Sequence, residues 1–188
     1  MIVEKKTLLE ELHQRQSYIL QSLRALRETS DELLRKRPGP DQWSALECLE
    51  HLNQTYRHYC PAIAKALQNS KTDGSSSYKE GFMGRMMTNS MSIVNGQNKR
   101  TMKTFRSMVP DVSNQSTAAI FEQLEQFEKQ MADFVQQASH LSLSANRVPS
   151  AIGPIIRFKL GDCLRFMVAH DERHLLQAQK ALIAATKA

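Results

Sequence analysis

Four long segments of this chain carry apolar residues at intervals of three and four positions, and this spacing constrains the fold most strongly. It places the apolar side chains on one face of an α-helix. The pattern predicts long helices from Lys5 to Leu26, from Ser44 to about Leu67, from Thr117 to Ala138, and from about Gly161 to Ala185. No segment shows the alternation of a half-buried strand. The predicted fold is therefore all-α, a four-helix bundle with a long crossover between the second and third long helices.

The second long helix has a distinct N-terminal signal and an internal irregularity. Ser44 is followed three residues later by Glu47, the spacing of a capping box in which each residue satisfies a backbone amide of the other. Further along, Pro61 lacks a backbone donor, so the sequence predicts a kink or break near Arg57 to Cys60.

The stretch from 69 to 115 is rich in Ser, Gly, Asn, Met and basic residues and lacks a clear helical pattern. Long structureless segments are uncommon within compact domains, so part of 82–107 is predicted to be helical. No linker divides the chain into two parts with separate cores, and residues 1–188 are therefore predicted to form a single domain.

The cysteines and the apolar runs bear on cellular location. Cys48, Cys60 and Cys163 are odd in number and form no C-x-x-C pair, which disfavours a disulfide framework and a thiolate zinc site. The charged N-terminal stretch does not resemble a signal peptide, and no apolar run approaches the roughly 18 residues of a membrane span. The sequence thus predicts a cytoplasmic protein that does not enter the membrane.

Two histidines lie within the apolar face of the fourth long helix. At 100° per residue, His170 and His174 share one side of this helix with Phe166, Met167 and Ala178. Their spacing of four places both imidazoles one turn apart on that face. An H-x-x-x-H pair alone is a weak signal for a metal site, because such pairs are common in helical proteins.

A third histidine strengthens the interpretation. His51 shares a face of the second long helix with Leu52 and Thr55, so it is also expected to face the core. Three inward histidines on helices that a bundle brings together favour one bound divalent transition metal. The imidazole donors favour Zn or Ni, although such a site also accepts Fe or Mn.

Two stretches resemble the signatures of the DinB-like (DinB/YfiT-like) metalloprotein superfamily. WSALECLEHL, from Trp43 to Leu52, is similar to a Trp-Ser helix start followed by the first ligand histidine. GPIIRFKLGDCLRFMVAHDERHLLQ, from Gly153 to Gln177, is similar to the second signature, in which H-x-x-x-H is followed by Gln. The resemblance implies that His51, His170 and His174 are the metal ligands.

The resemblance covers most of the chain, but almost nothing between 70 and 115. It implies a four-helix bundle, often a homodimer, and a divalent-metal-dependent enzyme. Characterised relatives include thiol-dependent transferases and isomerases, some of which use mycothiol or bacillithiol. The chain is therefore expected to act on an unidentified small-molecule substrate, in combination with a low-molecular-weight thiol if it is a transferase.

Several polar residues near the histidines have alternative roles. Asp171 occupies the place of the Glu in the zincin motif H-E-x-x-H, but its shorter side chain favours orienting an imidazole or forming a salt bridge. Gln177 is expected to line a pocket or support packing, and His58 to contact a substrate or subunit boundary or, more simply, to be buried. Glu47 is interpreted as a cap residue and not as a general base, so no catalytic residue is identified.

The charge distribution raises the question of nucleic-acid binding. Of the net charge of +6, most comes from the segment between Lys71 and Arg106, which carries seven basic and two acidic residues. Its Met-rich part, 81–107, is compatible with a solvated loop, a lid over the metal site or a nucleic-acid surface. Nucleic acid is the least favoured, because regularly interleaved aromatics and recognised binding motifs are absent from the sequence.

The sequence is compatible with two classes of function. The first is a metal-dependent hydrolase or thiol S-transferase, in which the ion activates a water or a thiolate. The second is a non-catalytic protein, in which the ion or the histidine cluster stabilises the bundle or an interface. A pocket facing a metal with only three protein ligands would favour the first class.

Overall fold

A computed structural model describes residues 1–98, 104–151 and 153–187. These ranges contain the helices α1 (Lys5–Arg27), α2 (Asp31–Arg35), α3 (Ala45–Gln68), α4 (Phe82–Met91), α5 (Thr117–Gln137) and α6 (Leu160–Ala185). Short 3-10 turns cover Arg106–Met108 and Ala138–His140. The four long helices predicted from the sequence are all present, and α4 confirms the helix expected within 82–107.

The capping box at the start of α3 is confirmed, whereas a break in this helix is not found. The Ser44 backbone amide donates to the Glu47 carboxylate over 2.8 Å, and the Glu47 amide donates to the Ser44 hydroxyl over 3.2 Å. The helix continues through Pro61. Because Tyr59 and Ile63 on either side of Pro61 are buried, their packing offsets the one backbone hydrogen bond that proline removes.

The long helices form a closed ring of contacts around the core. Both α1 and α3 contact α5 and α6. Leu12, Leu49, Leu124 and Met167, one from each long helix, are fully buried. The side-by-side packing of α3 and α6 brings together the two helices that carry the predicted metal ligands.

Short antiparallel strand pairs join the helix ends, a feature that the sequence pattern did not predict. Strand β1 (Ile2–Glu4) pairs with β2 (Ser77–Lys79), β3 (Ile93–Val94) with β4 (Gln97–Asn98), and β5 (Arg147–Ser150) with β6 (Gly153–Lys159). Strands β1 to β4 are too short to show an alternating pattern, and β1 pairs with a strand more than seventy positions later in the sequence. The β5–β6 hairpin leads directly into α6 and also contacts α3.

The three cysteines are free and buried. Burial raises the pKa of each thiol, to about 12 for Cys60. Their position agrees with the role of small buried apolar residues, because a reactive thiol requires a lowered pKa and access to solvent. None of the described helices has the length and apolar character needed to cross a membrane.

Helix α4 approaches α6 closely at Gly84. A Cβ atom at this position would lie 2.3 Å from Asp162 Cβ, and the Asp162 carboxylate is held by a 2.8 Å hydrogen bond from the Gly81 amide. We expect Gly84→Ala to destabilise the fold by about 1–3 kcal/mol, because α4 must move away from α6. Denaturant unfolding would measure this loss. Gly74→Ala is the control, since no other atom lies within 4 Å of that Cβ position, and equal losses in both variants would contradict the predicted clash.

Candidate metal centre

Three histidines converge between α3 and α6, as the sequence predicted. His51 lies two turns from the start of α3, and His170 and His174 lie on the facing side of α6. All three are buried, and one ring nitrogen from each lies within 4.8 Å of the others. The clustering of these residues is therefore confirmed.

A backbone carbonyl fixes the orientation of His51. Its Nδ1 lies 2.8 Å from the carbonyl oxygen of Met108, at the end of the 3-10 turn. A carbonyl only accepts hydrogen bonds, so Nδ1 carries the proton and Nε2 of the neutral ring presents a lone pair. This tautomer directs the metal-binding nitrogen of His51 toward the other two imidazoles.

The spacing of the His51 and His170 ring nitrogens fits a tetrahedral transition metal. His51 Nε2 lies 3.3 Å from His170 Nε2. Two nitrogens each about 2.0–2.1 Å from a tetrahedral ion are separated by about 3.3–3.4 Å. These two rings can therefore bind one divalent ion without a large movement, and a His174 nitrogen lies within 4.8 Å of both.

The surroundings keep all three imidazoles neutral, the form that binds metals. Burial lowers the pKa of His51, and it lowers the pKa values of His170 and His174 well below the ordinary value. The His51 ring and the Arg173 guanidinium lower the pKa of His170 further. The His170 and His51 rings and Arg173 lower the pKa of His174 further, whereas a hydrogen bond with Gln177 has a smaller, opposite effect.

The histidines form part of the wall of a cavity of about 720 Å³. Trp43 covers one side of the cluster, its ring centroid 5.0 Å from that of His51 and 6.1 Å from that of His174. Exposed residues at the rim, among them Phe105 and Lys180, show that the cavity reaches the surface. Such a volume is typical of pockets for small organic molecules.

The Met-rich segment contributes directly to this cavity. Met87 and Met91 of α4 line it, together with Phe105 and Met108 from the region of the 3-10 turn. Of the three interpretations of 81–107, these contacts favour a cover over the site. The basic residues Lys99, Arg100 and Lys103, which motivated the nucleic-acid interpretation, lie outside the described residues.

The accessory residues named from the sequence have different positions. Gln177 lines the cavity. Asp171 Oδ2 accepts a 2.7 Å hydrogen bond from the Tyr56 hydroxyl, and no hydrogen bond to an imidazole is found for it within the described ranges. Glu47 is occupied by the capping box and by an ion pair with Arg37.

The prediction that His58 is buried is wrong. His58 is exposed, lies outside the cavity and contacts Tyr59 edge-on, with 5.0 Å between ring centroids. The helical angle of His58 is close to that of His51, but the 3-10 turn contacts α3 at His51, and none of the hydrogen bonds among the described residues places this turn over His58. Equal orientation on the helix therefore gives different burial at the two positions.

Three features of the site were not identified from the sequence. Trp43 packs on the imidazoles, and Arg173 lines the cavity between the two histidines of α6. Both residues belong to the stretches that carried the family resemblance, so a signal for them was present. The Met108 carbonyl had no such signal, because any residue could supply that backbone atom.

Comparisons with known proteins agree with this arrangement. The family model of the DinB superfamily matches residues 7–178, a range that includes all three histidines. Searches of curated proteins and of solved structures found no significant match. Because the match spans most of the sequence, the chain belongs to the DinB superfamily.

Proposed function

We propose that His51, His170 and His174 bind one divalent transition metal ion, with Zn or Ni favoured over Fe or Mn, and that the protein is a metal-dependent hydrolase or thiol S-transferase. The observation that carries this proposal is the convergence of three neutral, buried imidazoles on the wall of a 720 Å³ cavity. A catalytic site needs both features, a metal that retains exchangeable positions and space for a substrate beside it.

Neighbouring residues of the protein hold the imidazoles in position. The Met108 carbonyl holds the His51 ring in its ligand tautomer, and Trp43 and Phe166 pack against the imidazoles and exclude water from their sides. When bound, the ion would lower the pKa of a water or thiol nucleophile and offset negative charge developing on the substrate.

The alternative is a non-catalytic metal-binding or structural bundle. A structural zinc site is usually closed by four protein ligands. Among the described residues, no cysteine, aspartate or glutamate joins the three histidines within ligand distance. The three-ligand set beside a cavity therefore favours the enzyme.

The contacts between the long helices also support a proposal about the domain and the bundle. We infer that residues 1–188 form a single domain and that α1, α3, α5 and α6 are the four helices of a bundle with a long crossover between α3 and α5. Because the chain belongs to the DinB superfamily, we also propose that it forms a homodimer and acts on a small-molecule substrate, with a low-molecular-weight thiol if it is a transferase.

Metal analysis tests the proposal directly. The protein is purified without chelator and without an affinity column that releases metal, and bound metals are measured by plasma mass spectrometry. We expect close to one equivalent of Zn or Ni per chain, because the donor set holds one ion. A protein that takes up no metal, even after reconstitution with each ion, would rule out the metalloenzyme.

A further inference from the structure

We propose that one end of the cavity binds an uncharged hydrocarbon group of the substrate, and that the reacting group of the substrate lies at the histidines. This inner end is formed by six residues that line the cavity: Thr55, Tyr59, Met87, Met91, Ala151 and Phe166. The inference rests on the proposed function, because it assigns the substrate class of the same site. Its basis is the position of the inner end, the burial of its walls and the hydrogen bonds that its hydroxyls already make.

The inner end and the exposed rim lie on opposite sides of the histidines. On α6, Phe166 lies one turn before His170, and their ring centroids are 5.6 Å apart. Lys180 at the exposed rim lies ten residues after His170 on the same helix. On α3, Tyr59 lies eight residues after His51, about 12 Å along the helix axis. Because the ring centroids of Tyr59 and Phe166 are only 5.8 Å apart, both helices lead from the histidines to the same end of the cavity.

The walls of the inner end are apolar and removed from solvent. Tyr59 and Phe166 supply aromatic rings, Met87 and Met91 of α4 supply thioethers, and all four residues are buried. None of the six residues of the inner end carries a charge. A hydrocarbon group bound there would lose most of its contact with water, and its binding would be favoured in proportion to the apolar area buried.

The two hydroxyls of the inner end are already engaged by the protein. The Thr55 hydroxyl donates a 2.9 Å hydrogen bond to the His51 carbonyl. The Tyr59 hydroxyl accepts a 3.1 Å hydrogen bond from the Ala151 amide and lies 3.3 Å from the Ser150 hydroxyl. A polar ligand group placed here would exchange hydrogen bonds with water for contacts with rings and thioethers, which disfavours binding. The polar, reacting end of a substrate is therefore directed to the histidines.

Straight-chain alcohols test this assignment in metal-free protein, in which no ion affects binding. Isothermal titration calorimetry measures the Kd values of 1-butanol, 1-hexanol, 1-octanol and 1,8-octanediol. We expect about fourfold tighter binding for each added methylene, the factor that transfer of one methylene out of water predicts. The diol should bind about tenfold or more weakly than 1-octanol, because its second hydroxyl would be buried without a hydrogen-bond partner.

A matched pair of variants assigns the binding to one end of the cavity. Ala151 belongs to the inner end, whereas Ala184 is exposed at the rim, and both residues line the cavity. Ala151→Leu should weaken 1-octanol binding by about tenfold or more, because the added carbons occupy the space of two or more methylenes of the ligand. Ala184→Leu should stay within about twofold of the wild type. Circular dichroism checks that each variant folds, and Thr55→Leu, which fills the same end from α3, replaces Ala151→Leu if the latter does not fold.

Four results would each overturn the proposal. They are an affinity that does not depend on chain length, equal binding of 1-octanol and 1,8-octanediol, equal effects of the two leucine substitutions, and the absence of saturable 1-octanol binding. The third result would place the alkyl chain outside the inner end, and the second would show that this end accepts polar groups.

The metal analysis and the alcohol titrations can fail separately. Loss of the metalloenzyme proposal would appear as absence of bound metal, whereas the alcohols are measured without metal. In zinc-loaded protein, 1-octanethiol should bind more tightly than 1-octanol, because a thiolate is a zinc ligand. Ala151→Leu should weaken the binding of both ligands by the same factor. Equal affinities for the thiol and the alcohol in zinc-loaded protein would contradict the placement of the reacting group at the histidines.

Discussion

Replacing either His170 or His174 by alanine is expected to lower the affinity for Zn or Ni by at least about a hundredfold. Loss of a hydrogen-bond partner behind a ligand already costs about 10- to 100-fold, and loss of a direct ligand should cost more. Among the described residues, no carboxylate or thiol lies within ligand distance of the cluster, so neither histidine has a substitute. Competition titration against a chromophoric chelator would measure the affinity of each variant.

His58→Ala is the matched control, because this histidine is exposed and lies outside the cavity. The control should bind metal as the wild type does. Thermal unfolding gives an independent readout, since an ion at about 100 times its Kd stabilises the folded state by about 2.7 kcal/mol. At the same metal concentration this stabilisation should be kept in His58→Ala and should fall to about 0.4 kcal/mol or less in His170→Ala. Equal metal affinities of His58→Ala and His170→Ala would show that the histidine cluster is not the metal site.

Helical periodicity was sufficient to predict the long helices and the inward position of all three histidines. The apolar face of α6 contains His170 and His174 for the same geometric reason that it contains Met167, because residues three and four apart share a face. The convergence of His51 with this pair required only that α3 and α6 be neighbours. Local pattern therefore specified most of the metal centre.

Features that depend on contacts distant in sequence were not predictable. The short strand β1 pairs with β2 more than seventy positions later, with Val3 opposite Tyr78. Likewise, the burial of His51 and the exposure of His58 depend on where the 3-10 turn crosses α3. A helical wheel cannot distinguish these two histidines, because tertiary cover and not helical angle separates them.

In the core, a buried hydroxyl lies between two buried carboxyl groups. The Tyr56 hydroxyl lies 3.0 Å from Glu128 Oε1 and 2.7 Å from Asp171 Oδ2, and all three residues are fully buried. A hydroxyl has one hydrogen and can donate to only one carboxylate. The second carboxyl group must then donate its own proton to the Tyr56 oxygen, so at least one of the two carboxyl groups is protonated.

Glu128→Gln is expected to remove a large pH dependence of stability. Burial raises the pKa of Glu128 to about 8, so the folded state keeps a proton that the unfolded state, with a pKa near 4.5, releases. Between these two pH values the folded state binds more protons than the unfolded state. The contribution of Glu128 to the stability of the wild type therefore falls as the pH rises from about 4.5 to about 8. The slope approaches about 1.4 kcal/mol per pH unit. Glutamine has a similar shape, does not titrate and should be progressively more stable than wild type toward pH 8.

Urea unfolding of both proteins at pH 5, 6, 7 and 8 would measure this difference. The comparison with the variant cancels the contribution of the histidines, whose lowered pKa values act in the opposite direction because the unfolded state binds their protons more readily. Glu122→Gln, at an exposed position on α5, should follow the wild-type curve. If the Glu128→Gln and wild-type curves ran parallel, Glu128 would not change its proton affinity on folding. The proton required by the Tyr56 geometry would then have to reside on Asp171.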